Sequence, residues 1–291
     1  MADRDVSVII PACNEGRSIG MLVRKIRSLH PDYEVIVVND GSTDDTADVA
    51  RESGAIVFSH PYNVGNGAAV KSGIRIASGE ILVLMDGDGQ HDPEDIAKMV
   101  GLFPEYDMVV GARMRGQQSS FLRGAGNRFL NWLASYVAKF RIQDLTSGFR
   151  AVKAETAQRF LPLLPNTYSY PTSLTLGVLR EGWCVKYLPV KVQARTKGKS
   201  RIRLIRDGSR FIMIIAKICT LYSPLRIFLP VGLFTFLIGL GYYIYTFVTT
   251  GRFTNMSALL FTTAVIIFMM GLVSEQITQM RFEGNERDQF N

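Results

Sequence analysis

Ile81-Leu82-Val83-Leu84-Met85-Asp86-Gly87-Asp88-Gly89-Gln90-His91-Asp92-Pro93-Glu94 carries the chain from an apolar run straight into a cluster of acids. The apolar run, bounded by a glycine-rich turn, reads as a strand buried on both faces, the kind found in parallel sheets. Asp92-Pro93-Glu94 then reads as a helix start, with a capping carboxylate ahead of a first-turn proline. Asp86 and Asp88 therefore stand at the carboxyl end of a strand, where open α/β sheets bind ligands. Two carboxylates one residue apart suit a hard divalent cation. Mg²⁺ or Mn²⁺ takes oxygen ligands from one or two such carboxylates plus substrate phosphates.

Outward from this stretch the same alternation repeats. Val6–Ile10, Val35–Val38, Ala55–Phe58 and Met108–Val110 read as further strands. Helical periodicity falls on Ser18–Leu29, Thr43–Glu52, Ala68–Ala77 and Pro93–Phe103. Strands alternating with helices predict a doubly wound, mostly parallel α/β sheet. Beyond residue 114 the pattern is less regular, with helices expected at Asn127–Lys139, Glu155–Leu161 and Leu174–Glu181 and a strand at Val185–Val190.

The composition changes near the carboxyl end. Between Ile227 and Ser274 the only charge is Arg252, and the runs 227–248 and 256–273 are each about long enough to cross a bilayer, which takes roughly 20 residues. Just ahead, residues 195–217 hold eight cations, Arg195 through Lys217, with Asp207 the only acid, interleaved with Ile202, Leu204, Ile205 and Phe211. Such a stretch reads as an amphipathic helix in the interface of an anionic leaflet. By the positive-inside bias, the region before the first span and both termini are expected in the cytoplasm. The expected organisation is a catalytic domain over 1–195, a basic juxtamembrane segment over 196–226, two spans over 227–274 and a tail over 275–291. The 291 residues carry 33 Lys and Arg against 26 Asp and Glu, net +7, which fits an anionic partner but is too scattered for nucleic acid. Cys13, Cys184 and Cys219 show no paired spacing, so reduced thiols are expected. No secretory leader is expected either, because the apolar Val6–Pro11 is short and follows Asp3 and Asp5.

Other strand ends carry chemistry as well. Pro11-Ala-Cys13-Asn14-Glu15 and Asn39-Asp40-Gly-Ser-Thr-Asp44 close the first two strands at the same edge as Asp86. Asp40 is placed to accept from a base or a ribose, while Ser42 or Thr43 is expected to cap the following helix. Gly65-Asn66-Gly67 begins a dinucleotide fingerprint, but Val70 replaces the third glycine. Asp86–Asp88–Gln90 fails as a calcium EF-hand loop, because His91 and Ala97 occupy the positions of the required Gly and Glu. Arg113, Arg123 and Arg128, and then Arg150 at the end of Asp144-Leu-Thr-Ser-Gly-Phe-Arg150, offer guanidinium forks for phosphate oxygens. Ser147-Gly148 is a turn whose backbone can approach an anion closely.

In order, Pro11-x-x-Asn-Glu15, Asp40-Gly-Ser, Asp86-x-Asp88-x-Gln-His, Gly111-Ala-Arg113, Asp144-x-Thr-Ser-Gly-Phe-Arg150 and Arg195-x-x-Gly-x-Ser-Arg201 resemble the dolichyl- and polyprenyl-phosphate sugar transferases. These are dolichol-phosphate mannose synthase-like, family-two inverting glycosyltransferases of GT-A fold. The resemblance covers about residues 5–205 and extends to the two-helix tail. It implies a nucleotide-sugar pocket of Pro11, Cys13, Glu15, Val38, Asp40, Asp86, Gly87, Arg113 and Arg195. It implies a metal held by Asp86, Asp88 and Gln90, with Asp88 and Asp144 catalytic. It also implies an acceptor-phosphate site of Arg123, Ser147, Arg150 and Arg201. Cys13 stands where the family often has Tyr or Phe, and Arg201 where it usually has Lys. The implied partners are a UDP- or GDP-sugar, a polyprenyl phosphate such as undecaprenyl or dolichyl phosphate, the membrane and a second copy of the chain.

Three other readings compete. A processive polysaccharide synthase of the same fold would carry Gln-x-x-Arg-Trp, yet neither Trp132 nor Trp183 has that context. A non-catalytic nucleotide- or lipid-binding membrane partner would have no need of Asp86, Asp88 and Gln90 together. A nucleotidyltransferase would carry a Gly- and Lys-rich loop where Pro11–Glu15 stands.

Overall fold

The computed structural model describes residues 5–113, 121–192 and 224–287. They fall into two compact units, divided between Ile214 and Ile215. The first is a seven-stranded sheet in the order β3-β2-β1-β4-β6-β5-β7. Its strands are β1 (Val6–Ala12), β2 (Glu34–Asp40), β3 (Ile56–His60), β4 (Ile81–Leu84), β5 (Met108–Arg113), β6 (Arg150–Lys153) and β7 (Val185–Val190). Helices α1 (Gly16–Leu29), α2 (Thr46–Glu52), α3 (Asn66–Ile76), α4 (Glu94–Val100), α5 (Phe121–Ala138), α6 (Ala154–Phe160) and α7 (Tyr170–Arg180) connect them. Every residue of β1 and β4 is buried, as apolar runs without alternation require when helices cover both faces. In α1 the buried set is Ile19, Gly20, Leu22, Val23 and Ile26, one stripe at helical spacing.

Most of the pairing is parallel: β1 with β2 and β4, β2 with β3, β5 with β7. The exception is β6, which runs antiparallel to both β4 and β5, with Arg150 opposite Leu84 and Val110. Four residues with a charged one at each end show no strand periodicity, so β6 had no sequence signal. Its reversal has a consequence for the rim. The beginning of β6 lies beside the carboxyl ends of β4 and β5, so the turn 144–149 arrives where Asp86 and Arg113 are.

Glycines let α3 seat closely on its neighbours. A Cβ on Gly67 would stand 2.1 Å from the Pro165 carbonyl oxygen, and one on Gly65, whose φ is +121°, 2.3 Å from that of Asn166. The Gly65-Asn-Gly67 sequence that begins a dinucleotide fingerprint is thus explained by backbone contact within the fold. His60 ends β3 opposite Asp40 in parallel register.

The second unit holds two helices, α8 (Leu225–Thr250) and α9 (Asn255–Arg287). Leu225–Thr250 and Asn255–Met280 are long and apolar enough to cross a membrane. Gly232 approaches Ala264 and Phe268, Gly239 approaches Leu260 and Phe261, and Gly271 approaches Phe228, so the helices run antiparallel. Phe236 and Phe261 pack with ring centroids 5.2 Å apart. Close approach at small residues is the usual basis of helix association where no hydrophobic gain separates helix from lipid. Gly251 closes α8 in the left-handed region, φ +64°, with its N–H donating to Phe247 O at 2.9 Å. Helix α9 runs on past Ser274, beyond the point where the apolar run ends, and Glu275 within it accepts from the Leu225 N–H at the start of α8. The basic stretch 195–217, with Arg195 and Arg201, lies outside the described residues.

Gly67→Ala is expected to destabilise the fold by about 1–3 kcal/mol, since its methyl meets rigid backbone. Thermal denaturation against the unmodified chain measures it. An unchanged midpoint would mean that segment 165–167 yields.

Candidate active site

The loops after β1 and β2 are tied to one another. Asn14, at φ +57°, donates its N–H to Ser42 Oγ at 3.0 Å and accepts from the Thr43 N–H on Oδ1 at 2.8 Å. The Glu15 N–H donates to Thr46 Oγ1 at 2.9 Å. Ser42 and Thr43 are therefore spent on the β1 loop. It is Asp44 that accepts from the Thr46 N–H at 3.1 Å at the start of α2.

Asp40 is buried, at 3% exposure, and both its carboxylate oxygens are engaged by the chain. Oδ1 contacts His60 Nδ1 at 2.7 Å and accepts from the Val64 N–H at 2.9 Å, and Oδ2 accepts from the Gly65 N–H at 2.9 Å. The far side of the His60 ring meets Ser72 Oγ at 2.9 Å. Asn63 Nδ2 donates to the Asp40 carbonyl at 3.2 Å and to Cys13 Sγ at 3.3 Å. Asp40 thus orders a wall around Cys13 through residues 62–65. Val38 has no exposure and lies under Gly73 of α3, so it belongs to the core. Pro11 is buried as well, with its carbonyl backing Gly87.

The carboxylates of the opening stretch lie at the centre of this rim. Gly148 passes so close to Asp86 that a Cβ there would be 2.6 Å from Asp86 Oδ2. The anion approached by the Ser147-Gly148 turn is Asp86 itself. Burial and the neighbouring Asp88 charge push the Asp86 carboxyl up to about 6, against the Asn66 side-chain hydrogen bond and the charges of Arg113 and Arg150. Asp88 Oδ1 accepts from the Gln90 N–H at 3.1 Å, across Gly89 at φ +69°.

Beside them Arg113 and Asp144 form a two-pronged ion pair. Arg113 Nε donates to Asp144 Oδ2 at 2.7 Å and its terminal nitrogen to Oδ1 at 2.9 Å and to Thr146 Oγ1 at 2.7 Å. Burial alone would raise the Asp144 carboxyl, but Arg113 and the N–H groups of Arg113 and Thr146 hold it below the usual carboxylate range. A carboxylate so held orients Arg113 and is not a proton acceptor near neutral pH.

Two residues expected at an acceptor phosphate are taken up by the fold. Arg150 has no exposure, and its guanidinium donates to the carbonyls of Ser147 and Pro171 and to Thr175 Oγ1. The Ser147 hydroxyl donates to the Gly111 carbonyl at 2.6 Å. Neither can clamp a lipid phosphate in this arrangement. Arg150 instead supplies buried positive charge facing Asp86 and Asp144. Arg123 falls within α5, and its side chain lies outside the described residues. His91 is buried, stacks on Phe149 at 4.9 Å and forms an isolated bridge to Val192. Burial lowers its pKa, so it packs as a neutral ring.

Asp86, Asp88 and Asp144 thus face the guanidiniums of Arg113 and Arg150, a balance one negative charge in excess. Among the described residues no three His, Cys, Asp or Glu side chains form a metal cage. The Asp86–Asp88 pair does fit a hard cation that draws further oxygens from a substrate diphosphate. The residues that sequence reasoning missed are His60, Asn63, Asn66 and Thr146. Of these only His60 carried a signal, as a titratable group at the carboxyl end of a strand.

The fold agrees with what known proteins show. Residues 7–159 match the sequence family described as Glycosyl transferase family 2, and residues 223–280 match the GtrB C-terminal hairpin. The chain belongs to glycosyl transferase family 2. It is a glycosyltransferase, and the hairpin match joins the two apolar helices in pointing to membrane association. The uncharacterized protein MJ1222 of Methanocaldococcus jannaschii is 30% identical over 227 residues, covering 74% of this chain and 93% of its own. The undecaprenyl-phosphate 4-deoxy-4-formamido-L-arabinose transferase of Aeromonas hydrophila subsp. hydrophila is 26% identical over 314 residues, covering 98% of this chain and 92% of its own. Among solved structures, glucosyl-3-phosphoglycerate synthase from Mycobacterium tuberculosis, in complex with Mn²⁺, UDP and phosphoglyceric acid, superposes with a TM-score of 0.62 at 25% identity. That match covers 75% of this chain and 78% of the synthase.

The raised Asp86 pKa has a sign that can be tested. Its folded value, about 6, lies above the unfolded value of 3.8, so its stabilising contribution is complete below pH 4 and is lost as pH rises through 6. Asp86→Asn is therefore expected to stabilise the chelator-treated protein by up to about 3 kcal/mol at pH 7.5 and to match it near pH 4. Thermal melts at both pH values measure the difference, and destabilisation at pH 7.5 would contradict the assignment.

Proposed function

We propose that this enzyme moves a sugar from a nucleoside-diphosphate sugar, UDP- or GDP-linked, to the phosphate of a polyprenyl phosphate, inverting the anomeric centre. The observation that carries the reading is the Asp86–Asp88 pair on one rim with the Asp144-held Arg113, in a chain that also bears a membrane-length hairpin. The Aeromonas relative, named for transfer to undecaprenyl phosphate, and the Mn²⁺ and UDP bound by the mycobacterial synthase support the choice of substrates.

Asp86 and Asp88 would hold the divalent cation, Mg²⁺ or Mn²⁺, with Gln90 beside them. When bound, the cation neutralises charge that develops on the departing diphosphate. The chain's own part is positioning and preorganised charge. Arg113, fixed by Asp144, presents positive charge to donor phosphate oxygens without having to reorganise. Cys13 and Asn63, set by Asp40 and His60, line the pocket for the base and ribose. An acceptor phosphate oxygen forms the new bond to the anomeric carbon. The bond from that carbon to the diphosphate breaks, and its electron pair leaves with the nucleotide. A phosphate monoester has its second pKa near about 6, so the nucleophile is already ionised near pH 7. No general base is needed, which agrees with an Asp144 saturated by hydrogen bonds.

The working placement has residues 1–195 as the catalytic domain at the cytoplasmic face of the cell membrane. The basic segment 196–226 lies in the interface with Arg195 and Arg201 near the phosphates, and the hairpin returns the tail to the same side. A homo-oligomer packed through the hairpin fits this placement. Gly232 and Gly239 are used inside it, and Gly241 faces open space.

Asp88→Ala is expected to lower transfer of sugar to lipid phosphate by at least about a hundredfold, more than the loss usual for groups that only support a metal ligand. Chelation of the unmodified enzyme is expected to do the same and to be reversed by Mn²⁺. Undiminished transfer by Asp88→Ala with chelator present would refute the metal-assisted mechanism. Replacing His60 with Ala is expected to weaken donor binding, raising KM for the nucleotide sugar several-fold with little change in kcat. A fall in kcat alone would place His60 elsewhere in the chemistry.

A further inference from the structure

Helix α5 buries Leu130, Ala134 and Ala138, spaced by four residues along one face. The opposite face carries Phe129, Trp132 and Tyr136, which are 50%, 60% and 51% exposed. Their rings lie in a row, with centroids 5.9 Å apart from Phe129 to Trp132 and 6.2 Å from Trp132 to Tyr136. A continuous ridge of three exposed aromatic rings marks an interaction surface. Its surroundings identify the partner. Between Arg113 and Asp144 the chain has no Asp or Glu at all, but it has Arg115, Arg123, Arg128, Lys139 and Arg141. Arg128, Lys139 and Arg141 are exposed beside the ridge.

We propose that this face of α5 is a second membrane contact, in which Phe129, Trp132 and Tyr136 enter the headgroup zone of an anionic bilayer while the flanking cations meet lipid phosphates. The proposal rests on the membrane reading above, but it concerns a helix of the catalytic unit rather than the hairpin or the basic segment. Tryptophan and tyrosine suit that depth because one end of each ring is apolar and the other hydrogen-bonds. Cations around a bare aromatic ridge favour an anionic surface. A second copy of the chain is the poorer occupant, since a symmetric contact would set like charges against each other. The placement also has a use. Helix α5 lies between Arg113, at the end of β5, and Asp144, so a contact along it fixes how deep that pair sits relative to lipid phosphates.

The chain has two tryptophans, which makes the test direct. Trp183 is packed edge-on against Phe160 at 5.7 Å, with Arg159 5.4 Å from its ring. Trp183→Phe in the full chain leaves Trp132 as the only emitter. The protein is reconstituted in vesicles of phosphatidylcholine and phosphatidylglycerol, with and without bromine on the acyl carbons nearest the headgroup, and flotation confirms incorporation. The expected result is a blue-shifted Trp132 emission that falls about twofold or more with brominated lipid. Trp132→Phe, which leaves Trp183, is expected to show no such loss. If the chain floats with the vesicles and Trp132 emission is unchanged by bromine, the proposal is overturned and the membrane reading stands. If Trp132 is shielded from both bromolipid and aqueous iodide, a protein covers the ridge and the proposal is equally overturned. If the chain does not float, the membrane reading itself fails and this contact with it. As a second measurement, the triple variant Phe129→Ser, Trp132→Ser, Tyr136→Ser is expected to raise KM for the lipid acceptor several-fold and leave KM for the nucleotide sugar unchanged. A rise in both, or in neither, counts against the contact.

Discussion

Strand β6 enters the sheet against the direction of both its neighbours, and the arrangement of the rim follows from that reversal. Had it run parallel to β4, the turn 144–149 would open at the opposite edge, away from Asp86. Its first residue, Arg150, anchors the turn from below. The guanidinium is buried among the carbonyls of Ser147 and Pro171 and the Thr175 hydroxyl, and its charge faces Asp86 and Asp144. A buried arginine is tolerable only when most of its donors are matched and acids stand near. Here both terminal nitrogens are matched and Asp86 and Asp144 stand near, while Nε has no hydrogen-bond partner among the described residues. The same turn lets Gly148 pass against Asp86, where any side chain would collide.

The rim is therefore an electrostatic frame with one side left unbalanced. Asp144 holds Arg113 in a rigid fork. The Asp86 carboxyl is raised first by burial and then by the neighbouring Asp88 charge. A site of this kind favours a cation and phosphates together over either alone, because each relieves the charge that the other leaves. On the far side of the rim, the Asp40 carboxylate, in contact with His60, holds the loop beside Cys13 by accepting from the main-chain N–H groups of Val64 and Gly65. Binding surfaces set by backbone in this way need little reordering when a ligand arrives.

Much of this was legible in the sequence. The apolar run 81–85 gave a buried strand, and its acidic end gave the centre of the rim. The strand ends at Pro11–Glu15 and Asp40 and the two long apolar runs were also readable. What escaped had physical causes. Strand β6 is too short and too charged to show a period. Arg150 and Ser147 look like phosphate ligands because their chemistry is right, and only burial shows that backbone carbonyls have claimed them. Val38 sits in a motif-bearing strand yet belongs to the core, because β2 is buried on both faces and Gly73 of α3 lies against it. Asp40 reads as a ligand for a base, and its long-range partners His60, Val64 and Gly65 appear only in three dimensions.

The central claim is that the unbalanced carboxylates and the fixed arginine serve transfer onto a lipid phosphate. Its most direct test is the fate of a radiolabelled sugar supplied on a panel of UDP- and GDP-donors to purified enzyme with Mn²⁺ and undecaprenyl or dolichyl phosphate. The account predicts that label from one donor moves into the organic phase as a sugar phosphoryl lipid, released by mild acid, with the anomeric configuration opposite to the donor's. Label that stays in water as free sugar, collects in polymer, or reaches the lipid with configuration retained would contradict it.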